Sequence, residues 1–154
     1  MKLLIACVDG YHGVFAMTPS GLVTCISSFG PKETMDRLAA AVTTRGISIM
    51  ARIDHAAAAA AVGMELRPTE VLIFGNPRAG TPLMQSVQTV GIDLPLKALV
   101  WQDEDGTTRL AYNDPQWLAQ RHGVDAGSDQ TLHAMADALA AVAREATAAS
   151  AEAR

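Results

Sequence analysis

The sequence predicts an α+β fold, a two-layer sandwich of a mixed, largely antiparallel sheet with helices packed on it. Three observations carry this. Short apolar segments of strand character (Leu22 to Ser28, Ile47 to Ile53, Val71 to Phe74) interleave with segments whose apolar residues recur at helical spacing. Leu94 to Gln102 and Thr107 to Tyr112 then flank the turn cluster Asp103-Glu104-Asp105-Gly106, so two successive strands form a hairpin. A long helix starting at Ser128 or Asp129 closes the chain, with Leu132, Met135, Leu139, Val142 and Ala146 as its apolar stripe. The predicted order is β-α-β-α-β-α-β-β-α-α. A three-layer α/β fold is the alternative, because three early strands are each followed by a helix.

Each element has a local reason. Leu22 to Ser28 holds Val23, Thr24 and Ile26, residues that suit a pleated surface. Gly30-Pro31-Lys32-Glu33 opens the first helix, with proline at the first helical position and Glu33 able to reach back to the Gly30 amide. Met35, Leu38 and Val42 give that helix its buried face, and Gly46 stops it. Ile47, Ile49, Ala51 and Ile53 alternate with polar or flexible residues, which predicts a half-buried strand. Asp54 then caps an alanine-rich helix from His55 to Val62. The uninterrupted Val71-Leu72-Ile73-Phe74 reads as a strand covered on both faces. Thr81-Pro82 predicts the next helix start, with Leu83, Val87 and Val90 on one face. Asp114-Pro115 opens a short helix that Gly123 ends.

At 154 residues the chain matches one domain, expected over residues 17–147, with an N-terminal extension (1–16) and a frayed tail (148–154). Hydrophobic residues make up 49%, enough for a real core, though much of that is alanine. Twelve basic against sixteen acidic residues give a net charge of −4. Only Arg67, Arg78 and Lys97 are basic between Asp54 and Trp101, so no basic patch exists there to bind nucleic acid. Cys7 and Cys25 lack disulfide-framework or zinc spacing, which points to a reducing, cytoplasmic location. The apolar start Met1 to Val8 stops at Asp9, too short for a signal core. Val14-Phe15-Ala16 resembles a cleavage box and keeps export as the alternative. No run reaches the ~18 apolar residues of a membrane span, so no membrane partner is expected.

Several strings gain meaning from their order. They are Glu33-Thr34-Met35-Asp36-Arg37-Leu38, Ile53-Asp54-His55, Gly63-Met64-Glu65-Leu66-Arg67-Pro68-Thr69, Phe74-Gly75-Asn76-Pro77, Gly80-Thr81-Pro82-Leu83-Met84 and Asp93-Leu94-Pro95-Leu96-Lys97. Together, over roughly Gly21 to Gly123, they resemble the domain of unknown function 302 family of small bacterial and archaeal proteins. The resemblance implies an α+β fold with an antiparallel-type sheet, often a homodimer, and no established activity. One departure is Gly30 at the first-helix cap, where the family usually has a side chain such as serine.

The segment Gly75-Asn76-Pro77-Arg78-Ala79-Gly80-Thr81-Pro82 is the strongest site candidate. It joins a buried strand to a helix, where backbone amides can hold an anion. It starts like a phosphate loop, with four residues between two glycines, but Thr81 and Pro82 stand where lysine and a hydroxyl residue belong. The plainer reading is a turn dipeptide followed by a helix start. His55 beside Asp54 could act as acid, base or metal ligand, or simply belong to a capping pair. A Cys25–His55–Asn76 enzyme would need those residues brought together. His12, His55, His122 and His133 show no metal-ligand spacing, and haem ligation by His55 with Met50 or Met64 has only the methionine count behind it. Asp103-Glu104-Asp105 reads as a solvated hairpin tip, and Trp101 and Trp117 read as packing residues.

These readings favour a dimeric binding module for a small polar or anionic ligand, held by Asp54, His55, Asn76, Arg78, Thr81 and Lys97. An enzyme using His55 as acid or base is the first alternative. A structural or partner-interaction protein is the second. No cofactor and no metal is indicated.

Overall fold

A computed structural model describes residues 15–18 and 20–149. Among them the chain forms a six-stranded sheet and five α-helices. The strands are β1 (Ala16–Met17), β2 (Leu22–Ile26), β3 (Ser48–Asp54), β4 (Thr69–Gly75), β5 (Leu96–Gln102) and β6 (Thr108–Asn113). The helices are α1 (Pro31–Thr44), α2 (His55–Ala61), α3 (Pro77–Ser86), α4 (Pro115–His122) and α5 (Asp129–Thr147). Most of the expected extension and tail lies outside the described residues. Phe15 packs against the core, and β1 pairs with β2.

The strands run in the order β1-β2-β6-β5-β4-β3, and every neighbouring pair is antiparallel. The sheet is therefore antiparallel throughout rather than mixed. Directly opposed residues share a face, so the register sorts the side chains. Cys25, Leu72, Phe74, Ala98, Val100, Leu110 and Tyr112 are buried on the helix side. There they meet Met35, Leu38 and Val42 of α1 and Leu139, Val142 and Ala146 of α5 in one core. Each such large side chain fully removed from water contributes about 1.5–3 kcal/mol. Arg45 adds a tie between the two helices, donating to both Glu145 carboxylate oxygens at 2.6 and 2.9 Å. That bond holds the Glu145 carboxyl below its ordinary range.

The opposite face carries Thr24, Ala111, Leu99, Val71 and Ile53 as a row across five strands. Val71 and Ile73 are only half-buried, so β4 is covered by helices on one face, not on both as its apolar run suggests.

Two local expectations change. The alternation through β3 is broken where the register shifts between Ile49 and Ala51. Ile49 opposes Phe74 on the helix face, whereas Ala51 and Ile53 oppose Ile73 and Val71 on the other. A bulge of this kind re-aims side chains at a sheet edge. At the first helix no side chain caps the start at Gly30. Nearby, the Ser27 and Thr34 hydroxyls lie 2.6 Å apart, and the Thr34 hydroxyl donates to the Gly30 carbonyl at 2.9 Å.

Gly21 has φ of +76°, and a Cβ there would stand 2.2 Å from Trp117 on α4. Gly106 has a similar φ of +80° with open space around it. Gly106→Ala should cost about 1 kcal/mol from backbone strain alone. Gly21→Ala should cost at least about 3 kcal/mol, because the indole must also move. Urea unfolding midpoints of the two variants measure this, and equal losses would show that the Trp117 contact is not made.

Candidate functional site

Asn76 sets the start of α3. Its side-chain Oδ1 accepts the Arg78 amide at 2.9 Å, while its own carbonyl accepts the Ala79 and Gly80 amides at 2.9 and 3.0 Å. Pro77 has no amide to offer. The helix therefore begins at Pro77, and Pro82 sits inside it rather than at its start. An interior proline removes one helix bond, which leaves the Arg78 carbonyl without its usual donor four residues on. The consequence for chemistry is direct. Pro77 brings no amide to the first turn, and the Arg78, Ala79 and Gly80 amides, which at an open helix start could hold an anion, are already bonded to Asn76. The expected backbone cradle for an anion does not exist here.

What the same segment does build is a cleft of about 780 Å³. One wall is Asn76, Pro77, Arg78, Thr81 and Met84 of the α3 region. A second is Leu94, Pro95 and Leu96, which lead into β5. Gly75 lets this strand end approach closely, since a Cβ would lie 3.2 Å from Pro95. Ile47 and Met50, from the bulged end of β3, form a third side. The last comes from α5, where Gln130, Ala134 and Ala138 follow one another at four-residue spacing. Alanine offers only a methyl group, so this wall recedes and the cleft stays open.

Among the described residues Arg78 is the one charged side chain lining the cleft, and no His, Cys, Asp, Glu, Lys or Tyr joins it. Hydrogen-bonding capacity comes from Asn76, Thr81, Gln130 and Thr131.

Three of the six sequence candidates, Asn76, Arg78 and Thr81, thus share this cleft. The other three do not. Asp54 and His55 lie at the far end of β3, where Asp54 opposes Glu70 while Ser48 opposes Gly75. Six residues of strand separate the two ends, about 20 Å at ~3.3 Å per residue. Asp54 caps α2 by accepting the Ala57 amide at 2.8 Å, and His55 is exposed beside it. Lys97 opposes Ile73 on the other sheet face and donates to the Asp93 and Pro95 carbonyls at 3.3 and 3.4 Å. One small ligand cannot touch all six.

Cys25 is equally remote from His55. It is buried against β6, its Sγ directed at the Leu110 carbonyl at 3.6 Å, and burial pushes its thiol up to about 11. Such a thiol is a packing group and a poor nucleophile.

Sequence reasoning missed the α5 wall and the methionines Met50, Met84 and Met135 as its companions. The signal was faint: small residues flanking the apolar stripe of a long helix. It also missed a clasp behind the second wall. His122 Nε2 lies 2.6 Å from Asp93 Oδ2, its Nδ1 lies 3.1 Å from the Thr89 hydroxyl, and Arg121 approaches Asp93 at 3.5 Å. This fastens the end of α4 to the residue before Leu94 and so fixes the cleft wall. Among the described residues no group of three or more His, Cys, Asp or Glu could hold a metal ion.

The family described as "Domain of unknown function DUF302" matches residues 23–142. The chain belongs to this family. A crystal structure of an uncharacterised conserved DUF302 protein from Bacillus stearothermophilus shares the fold, with a TM-score of 0.73 at 23% identity, over 82% of this chain and 98% of that one. Curated relatives are 46% identical over 125 residues, or 81% of this chain. They are the "Fluoride-specific ion channel FluC 1" proteins of Brucella suis and Brucella abortus. This DUF302 chain spans about half the length of those relatives, 49% and 46% respectively. No helix among its described residues is long and apolar enough to cross a membrane.

Replacing Asn76 with Ala should lower stability by about 1 kcal/mol, the usual cost of losing such a cap. Asn76→Ser should restore most of it. Urea titration of the three proteins reads this out, and an unchanged Asn76→Ala midpoint would mean that the side chain does not hold the Arg78 amide.

Proposed function

We propose that this DUF302 protein is a small-ligand-binding module, acting as a homodimer, with its site in the cleft between α3 and α5. The observation that carries the reading is the composition of the cleft. It has the size of a ligand site, ~300–1,000 Å³, and largely apolar walls with a few polar groups. It also lacks the side chains that transfer protons near neutral pH. That lack ranks binding above catalysis by His55, which stands at the other end of β3. Asn76, Arg78 and Thr81 are the proposed ligand contacts.

The dimer is supported by the half-buried Leu99 and Val71 and the exposed Ile53, which form an apolar row on the sheet face away from α1 and α5. Closed twofold pairs are the commonest way for such a face to be covered. The free, buried thiol of Cys25 fits a reducing, cytoplasmic setting.

A second reading follows from the Brucella relatives. A channel must cross the membrane, whereas no helix among the described residues of this chain, which matches about half of each relative, is long and apolar enough to do so. We infer that the matching half is an accessory module beside the pore-forming half, and that this chain serves a comparable accessory role.

Native mass spectrometry on protein purified gently from its own kind of cell tests both readings. The expected spectrum is a dimer carrying a discrete added mass that disappears in Ala134→Trp, with occupancy that changes when fluoride is added. A bare monomer would contradict the first reading. Spectra identical with and without fluoride would contradict the second.

A further inference from the structure

We infer that the ligand class is a small amphipathic anion: an unbranched or lightly branched apolar chain ending in one carboxylate or comparable anionic group. The inference rests on the cleft being the binding site and goes on to say what chemistry the cleft selects. Three features of the walls point the same way. Much of the lining is aliphatic and thioether, with Met50, Met84, Met135 and Leu96 among its members. Methionine has three rotatable bonds and a polarisable sulfur, so walls of this kind adapt to flexible chains rather than to one rigid shape. Among the described residues the single charge is positive, at Arg78 on the α3 side, and no carboxylate lines the cleft to oppose an anion.

The third feature excludes the simplest competitor. A compact inorganic anion needs several converging donors, and the helix start that could supply them has spent its amides on Asn76. One guanidinium is a poor match for free phosphate but suits a carboxylate, which it can grip with two parallel hydrogen bonds. A ligand that gains affinity from its chain and orientation from its head suits both the walls and the charge. Cations are disfavoured by Arg78, and a neutral chain would leave the guanidinium unused.

Isothermal titration calorimetry with the full chain tests the class using octanoate, hexanoate, 1-octanol, octyltrimethylammonium and inorganic phosphate as probes. Octanoate should bind about tenfold more tightly than octanol, from a charge-assisted bond at an exposed arginine. The cation and phosphate should bind more weakly still. Octanoate should exceed hexanoate by about tenfold, since each buried methylene gives about a fourfold gain at its fullest. In Arg78→Gln the preference for octanoate over octanol should vanish while octanol binds as before. Ala134→Trp and Met50→Trp alter exposed positions on opposite sides of the cleft and should each weaken every alkyl probe.

Equal binding of octanoate and octanol, unaffected by Arg78→Gln, would overturn the ligand class while leaving the cleft as the site. Phosphate binding as tightly as octanoate would also overturn the class. Octanoate binding unchanged in both tryptophan variants would place the ligand elsewhere and remove the site as well.

Discussion

The helix-facing side of the sheet is the constraint on which the remainder rests. Leu72, Phe74, Ala98, Val100 and Leu110 project from three neighbouring strands to the same side and must be covered. Two helices distant in sequence, α1 and α5, do this together and pack on each other as well. Once they occupy the middle of the sheet, α3 has no room over the core strands. It settles beside the N-terminal half of α5, where Leu83 joins Leu132, Met135, Ala119 and Val90 in a smaller cluster. The cleft is the gap between these two bodies of packing. Its position follows from the core, and its openness follows from Ala134 and Ala138 on the side of α5 that no other element covers.

The polar groups around the cleft divide by what they already bond. Asn76 is committed to α3, closing the helix start through its side chain and its carbonyl. His122, Asp93 and Thr89 are committed to each other and steady the wall before Leu94. The Arg78 guanidinium makes no hydrogen bond or ion pair among the described residues, although its amide is held by Asn76. The distinction matters because a bonded group contributes shape, whereas an unbonded charge contributes selectivity. The site therefore reads best as a largely apolar cleft with one positive charge among the described residues.

Much of the fold was legible because helix and strand periods differ and the caps are explicit. Asp54, Gly46 and Asp114-Pro115 fell where their local chemistry required. The start of α3 was misplaced because two proline dipeptides compete for it. Asn76-Pro77 wins, since asparagine can cap an amide two residues on and Pro82 is tolerated where a carbonyl can face water. The β3 bulge left no mark in the sequence, because alternation continues through Met50 although the register does not. The site was half legible. Asn76, Arg78 and Thr81 are adjacent in sequence and came together. Asp54, His55 and Lys97 were joined to them only by lying near strand ends; the first two lie at the opposite end of the sheet, and Lys97 lies on its other face. Met50, Leu94 and Ala134 become neighbours only through the packing of α5, which no local pattern encodes.

The central claim is that the cleft selects ligands by side chains and apolar walls, with the amides of the α3 start closed to anions. NMR under titration with inorganic phosphate tests it most directly, following the backbone amides of Arg78, Ala79 and Gly80. The account predicts that these three resonances stay in place through millimolar phosphate. A saturable shift of all three would show that Asn76 does not close the helix start, and the claim would fail.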